Sequence, residues 1–277
     1  MGRLSSIAIG IYYAALWSTL VPRAAAVLPS GVFFPLFIDP KDDCSGWPDS
    51  IGFGSGLVPF FVAINPADGP GGSPGSQPAS KFQTCIPTLN RSTSSVPGTT
   101  FTMGYVNTKH GKRASKKVLQ DIDTYAEWNA PYRPMGIYFD KTPSDAASAG
   151  LIGQYAQHVR DRFGVGSIVS LNPGTLPSPE YFVFSDHIVT VNTFFTSFST
   201  SNLTVSDQTP AAKQVVILHD QPRPVDFGQM ETLVDALSGI VRVHGMLITN
   251  STKREEFTTI PANLGELTGD LIGSQTA

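Results

Sequence analysis

Residues 136–140 read Gly136-Ile137-Tyr138-Phe139-Asp140. A short run of apolar and aromatic residues closing on an acid has the length and composition of a buried strand. Side chains point alternately to opposite faces of a strand. Ile137 and Phe139 therefore share one face, and Gly136, Tyr138 and Asp140 share the other. One face suits packing beneath a helix. The other carries a carboxyl group to the strand's C-terminal end.

The same pattern recurs along the chain. Eight such runs are Val32–Asp39, Pro59–Asn65, Phe101–Asn107, Met135–Asp140, Ser167–Asn172, His187–Asn192, Val215–Asp220 and Gly245–Asn250. In the first, Val32, Phe34, Leu36 and Ile38 oppose Phe33, Phe37 and Asp39. In the second, Val62 and Ile64 oppose Ala63 and Asn65. In the fifth, Val169 and Leu171 oppose Ser170 and Asn172; in the sixth, Val189 and Val191 oppose Thr190 and Asn192. Helical spacing lies between several runs. Val118, Ile122, Tyr125 and Ala126 share a side of 116–129. Ser144 or Asp145 caps a helix ending near Phe163, and Met230, Leu233, Val234 and Leu237 line a face of 226–243. Strands alternating with helices imply parallel pairing with right-handed crossovers. Eight units predict an α/β fold, a single (β/α)8 barrel of the TIM type. Asp39, Asn65, Asn107, Asp140, Asn172, Asn192, His219 and Asn250 would then ring one mouth, where barrel active sites sit. Asn and Asp are common wherever a strand turns, but a polar residue at all eight ends favours a converging site.

The chain's ends and cysteines speak to location. Residues 1–26 read as a secretory signal peptide: Arg3, an apolar run from Ile7 to about Leu20, and the small residues Ala24-Ala25-Ala26. The alternative is an uncleaved anchor, but the run is short for a span of about 20 residues. Residues 27–277 would form the domain, with no membrane span in the mature chain and a secreted or cell-surface location. Cys44 and Cys85, the only two cysteines, either pair in an oxidising compartment or stay as buried thiols. Pairing would contribute roughly 4 kcal/mol in the chain-entropy picture. Asn90, Asn202 and Asn250 open Asn-X-Ser/Thr triplets, which are glycosylation acceptors in a eukaryotic secretory path.

Composition removes several function classes. The formal charge is −3, with charged residues at 15%, so there is no basic footprint for nucleic acid. No GxSxG elbow, HExxH pair or Walker loop appears, and no metal or cofactor is expected. The Gly/Pro/Ser stretch 66–80 and the Ser/Thr-rich stretch 195–213 are either surface insertions or walls beside a groove. Carboxylates with Tyr, Asn and aromatic neighbours suit a polysaccharide or oligosaccharide, whose hydroxyls meet amides and acids. Glycoside cleavage ordinarily needs two carboxyl groups. Asp140 is the best acid, with Asp39 and Asp220 as candidate partners, and Asn65, Tyr105, Asn107, Tyr138, Asn172, Asn192 and His219 are placed to hold sugar. An enzyme requires a second carboxyl group within roughly 5 to 9.5 Å of Asp140. The chain is expected to act as a monomer.

Eight stretches occur in order: FFPLFI at 33–38, FFVAINPADGPG at 60–71, FTMGYVNTKHGKR at 101–113, DIDTYAEW at 121–128, GIYFD at 136–140, SLNPGTLPSPEYF at 170–182, VVILH at 215–219 and GMLITN at 245–250. In these the chain resembles the spherulin-4 (spherulation-specific) family of secreted fungal, slime-mould and bacterial proteins. The resemblance implies a (β/α)8 barrel and kinship with endo-acting glycoside hydrolases of galactosamine-containing polysaccharide, notably galactosaminogalactan. It also implies consecutive acids, Asp-Glu, at the end of the fourth strand, where this chain has Asp140-Lys141, and Phe-Glu on the sixth, where it has Val191-Asn192. Lys141 is expected to lower the Asp140 pKa. Two readings follow: a glycosidase whose second acid is lost or replaced by the substrate's own N-acetyl group, and a catalytically degenerate glycan-binding protein of the cell surface or matrix.

Overall fold

The computed structural model describes residues 29–47, 58–89, 100–255 and 257–276. The segment 1–26 and Asn90 lie outside them. Eight strands, β1 (Gly31–Leu36), β2 (Phe60–Ile64), β3 (Thr100–Asn107), β4 (Gly136–Asp140), β5 (Ile168–Asn172), β6 (His187–Phe194), β7 (Gln214–His219) and β8 (Gly245–Ile248), close into a parallel barrel in chain order. Helices α1 (Ser80–Leu89), α2 (Ser115–Ala126), α3 (Ala146–Phe163), α4 (Tyr181–Phe184), α5 (Phe227–Asp235) and α6 (Leu264–Thr276) lie between and after the strands. The barrel expected from alternation is present. Asp145 caps α3 by accepting from the Ser148 N–H at 3.0 Å, and Asp226 caps α5 at Gln229 in the same way. Helix α1 buries Phe82, Cys85, Ile86 and Leu89 on one face and contains Pro87.

The barrel is filled by its own inward side chains. Phe33 of β1 reaches across to Tyr138 of β4 (5.8 Å between rings) and His187 of β6 (6.1 Å). Phe61 of β2 meets His187 at 4.7 Å. Such cross-barrel contacts exist only on the inner face, which agrees with the strand alternation. Truncating a buried Phe of this kind typically costs about 3–5 kcal/mol. Outside, α2 approaches β3 so closely that a β-carbon on Gly104 would lie 2.6 Å from the Tyr125 ring. Only glycine admits that approach, and it lets the Tyr125 hydroxyl donate to the Ile64 carbonyl at 3.1 Å.

One strand departs from simple alternation. The β6–β7 register shifts between Val189 and Val191. Before the bulge His187 faces in. Thr190 turns to Gln214 (2.9 Å), itself the register partner of outward Ile188, and not to the barrel interior expected for it. Beyond the bulge Asn192 pairs with Ile217, and Phe194 with His219. The extra residue resets the phase, so a strand with an inward His187 at its base still presents Asn192 to the mouth.

Cys44 and Cys85 form a disulfide. It ties the segment after β1 to α1, beside Trp47 and Phe82 (5.9 Å between rings). No described helix is long and apolar enough to cross a membrane.

At the barrel floor His187 and His244 stack at 3.9 Å. Burial holds the His187 pKa well below the usual histidine value and brings His244 down to about 4. The unfolded chain therefore takes up protons below about pH 6.5 while the folded one does not. The stability that depends on these neutral rings is intact above pH 6.5 and is lost as pH falls towards 4. Urea midpoints should drop between pH 7 and pH 4.5. In His244→Gln that drop should shrink by about 2 kcal/mol; an unchanged drop would show that the pair has no part in acid lability.

Candidate functional site

The last residues of three neighbouring strands are in register: Asn107 pairs with Asp140, and Asp140 with Asn172. All three are buried, Asp140 with 8% of its surface exposed. The Tyr105 hydroxyl donates to Asp140 Oδ2 at 3.0 Å, and Asn172 Nδ2 donates to Oδ1 at 2.9 Å. Tyr105 lies one inward position below Asn107 on β3, and Tyr138 one below Asp140 on β4, so the two rings form the floor under the acid (6.4 Å between centroids). Phe37 stands edge-on to Tyr105 at 4.9 Å and to Phe257 at 5.5 Å, giving one wall of the mouth an aromatic surface.

Burial raises the Asp140 pKa above the usual aspartate range. The hydrogen bonds from Tyr105 and Asn172 act in the opposite sense and do not cancel it. This reverses the direction expected from Lys141. The Lys141 backbone is left-handed (φ 50°) and its side chain is exposed, while its carbonyl accepts from Thr108 Oγ1 and the His110 N–H, each at 2.6 Å. A solvated ammonium is a weak influence on a buried carboxyl group. A raised pKa suits a proton donor. Burial likewise raises the Tyr105 pKa, with Asp140 and Asp68 adding to it, so the phenol keeps its proton.

The other expected site residues fall into two groups. Asn172 is turned to the acid, and its own Oδ1 is buried without a hydrogen bond among the described residues. His219 is buried at the end of β7, bonded through Nδ1 to Asp220 (2.6 Å) and set edge-on to Phe194 (4.7 Å), whose ring is 52% exposed. Asn192 shares that inward phase. By contrast, Asn65 and Asn107 spend their side-chain oxygens on loop backbone, accepting from Gly69 (2.9 Å) and Lys109 (2.8 Å). Asp39 lies past the end of β1, where Lys81 of α1 and the Lys41 N–H take its carboxylate and lower its pKa. Asn202 is exposed in a short 3₁₀ turn; Asn250 is half-buried after β8.

Asp68 carried no sequence signal. It sits in the stretch 66–80 with a left-handed backbone (φ 52°), exposed, and its negative charge adds to the rise in the Tyr105 pKa. The loop is anchored: Asn65 holds Gly69, and Gln77 accepts from the Asn129 N–H (2.9 Å) and the Tyr132 hydroxyl (3.0 Å). The stretch therefore leaves the end of β2 at Asn65 and is tied at Gln77 to the connection between α2 and β4. Beside it Arg113 pairs with Asp121 at 2.6 Å and also donates to the Asn107 carbonyl. Among the described residues no three His, Cys, Asp or Glu side chains converge to hold a metal ion.

A closed (β/α)8 barrel with a buried acid at the end of its fourth strand defines the class. Within it, the chain belongs to spherulation-specific family 4, whose sequence profile matches residues 31–270. Spherulin-4 of Physarum polycephalum is 30% identical over 162 residues, covering 58% of this chain and 44% of that protein, so the match spans less than half the relative's length. The crystal structure of Aspergillus clavatus Sph3 in complex with GalNAc is similar over 88% of this chain and 98% of that one, with a TM-score of 0.76 and 25% identity. An endo-β-N-acetylglucosaminidase from Cordyceps militaris covers 90% and 92% at a TM-score of 0.55 and 11% identity, a likeness of fold alone.

Tyr105→Phe removes one donor to the Asp140 carboxylate while keeping the ring. A hydrogen bond to a charged group is worth about 1.5–3 kcal/mol, so Asp140 should titrate at least about one pH unit higher in the variant. Carbon-13 carboxyl NMR with Asp140→Asn for assignment reads this directly; no movement would mean that the phenol does not hold the acid.

Proposed function

We propose that this protein is a secreted, glycoside-hydrolase-like barrel acting on galactosamine-containing extracellular or cell-wall polysaccharide, with Asp140 as its proton donor. The observation that carries the reading is the buried Asp140 carboxyl group, raised in pKa and held between Tyr105 and Asn172. A donor poised this way can protonate a glycosidic oxygen as the bond to the anomeric carbon breaks. Family membership and the similarity to a barrel crystallised with GalNAc support a sugar as the ligand. In this reading Asn172, Asn192 and His219 meet the sugar's polar groups, Tyr105 and Tyr138 support the acid from below, and Asn65 and Asn107 act by shaping the loops that border it. Cleavage after about residue 26 and glycans on Asn90, Asn202 and Asn250 belong to the same proposal, as does action as a monomer outside the cell; the disulfide is compatible with that location.

A second reading, glycan binding without cleavage, is favoured by Lys141 and Asn192, which stand where the family resemblance implies acids. Incubating the purified mature protein with N-acetylated and de-N-acetylated galactosamine polymers separates the two. Release of oligosaccharides, lowered at least about 100-fold in Asp140→Asn, is the expected result. Retention of the polymer without release would select the binding reading, and neither release nor retention would remove the glycan assignment.

A further inference from the structure

We propose that the rim of the mouth above β3 and β4 is a docking surface for an acidic polysaccharide, one whose carboxylate groups recur along its chain. The surface is built from Lys109, Lys112, Lys116, Lys117 and Lys141, all exposed. The first four lie on the β3–α2 connection and the first turn of α2, and no acid occurs from residue 108 to residue 120. The fifth follows Asp140 directly. Backbone contacts join the two segments: the Thr108 N–H donates to the Asp140 carbonyl at 2.9 Å, and the His110 N–H to the Lys141 carbonyl at 2.6 Å. A β-carbon on Gly111 would stand 3.4 Å from Pro143, so the connection lies against the segment that follows β4. None of the five lysines forms a salt bridge among the described residues. Most of the nearby acids are committed elsewhere: Asp121 pairs with Arg113, Asp145 caps α3, and Asp140 is buried. Asp68, whose charge reaches Asp121, is exposed and outnumbered by the lysines.

This arrangement works against local stability. Lys116 and Lys117 sit in the first turn of α2, where the helix presents the positive end of its dipole and acids are the stabilising choice. That turn has no acid, and Ala114 supplies no side-chain cap. Lys109, His110 and Lys141 have left-handed backbones (φ 51°, 53° and 50°), which residues other than glycine adopt at a cost. An anion relieves both the crowding of like charges and the unmatched helix end. In a chain with a formal charge of −3, gathering cations on one rim is therefore a feature of binding rather than of folding. The position of the rim decides among polyanions. Lys141 adjoins Asp140, so a polysaccharide crossing the mouth passes over the lysines; this step rests on the glycan reading above. No exposed large apolar or aromatic side chain lies among residues 108–117 or 141–142. The rim thus has no platform for stacked bases and no wedge for a lipid surface. Lysine ammonium groups meet carboxylates as point charges without a fixed angle, which suits a flexible acidic chain.

The test is titration of the purified mature protein with polygalacturonate, followed by calorimetry. Binding is expected, weakening at least about tenfold between about 50 mM and 500 mM salt, with none to a neutral galactan. Lys112→Glu and Lys116→Glu should each weaken it about threefold or more, and together about tenfold or more. Arg242→Glu makes the same charge change at an exposed position before β8, at the opposite end of the barrel, and should alter binding by less than about twofold. Lys116→Glu should at the same time raise the melting temperature, because it places an acid at the start of α2; a variant that lost binding by unfolding would lower it. Polygalacturonate left unbound, or bound equally by wild type and the double variant, overturns this inference. So does tighter binding to RNA or to phosphatidylserine vesicles. The readout is binding, so a protein that holds polygalacturonate through these lysines and cleaves no galactosamine polymer overturns the glycosidase reading alone.

Discussion

Asp140 gives up most of its hydration to sit between the Tyr105 hydroxyl and the Asn172 amide, and the mouth of the barrel is arranged around that loss. A carboxylate withdrawn from water needs compensating donors, and two neutral ones are provided at ordinary hydrogen-bond lengths. They are insufficient to hold the charge, so the proton is retained more strongly than on a solvated aspartate. Those donors are where they are because β3, β4 and β5 keep one register, with Asn107, Asp140 and Asn172 side by side. Closure of the barrel, the glycine that lets α2 press on β3, and the aromatic floor beneath the acid all serve that register.

The barrel was legible because each strand repeats one rule, apolar outward and polar at the C-terminal tip. Asp140, Tyr105 and Asn172 converge as the alternation requires, since these strands run without interruption. Thr190 was misread because a bulge inserts one residue and flips the phase, which leaves no mark in composition. The Asp140 pKa was misread for a different reason. Lys141 is adjacent in sequence, but its side chain lies in solvent, and the dominant influence, burial, is a property of the assembled barrel. Asp68 had no periodicity to reveal it, because a loop residue is placed by anchors such as Asn65 and Gln77 rather than by a repeat. Asn65 and Asn107 show the converse: a polar strand end can be committed to its own turn.

The mouth thus divides by function. The floor is rigid, strand-borne and acidic at Asp140. Around it stand Phe37 and Phe257 on one side, and Phe194 and His219, the last residues of β6 and β7, on another. Rigid strands place reacting groups while loops vary around them. Residues beside the fourth-strand acid, such as the exposed Lys141, can therefore vary without disturbing the acid itself.

The most direct measurement is a crystal structure of the Asp140→Asn protein with a bound galactosamine oligosaccharide long enough to cross the mouth. A glycosidic oxygen is expected within hydrogen-bond distance of residue 140, with a sugar polar group on Asn172 Oδ1. An oligosaccharide seated elsewhere on the surface, with the cradle of Tyr105 and Asn172 left empty, would contradict it.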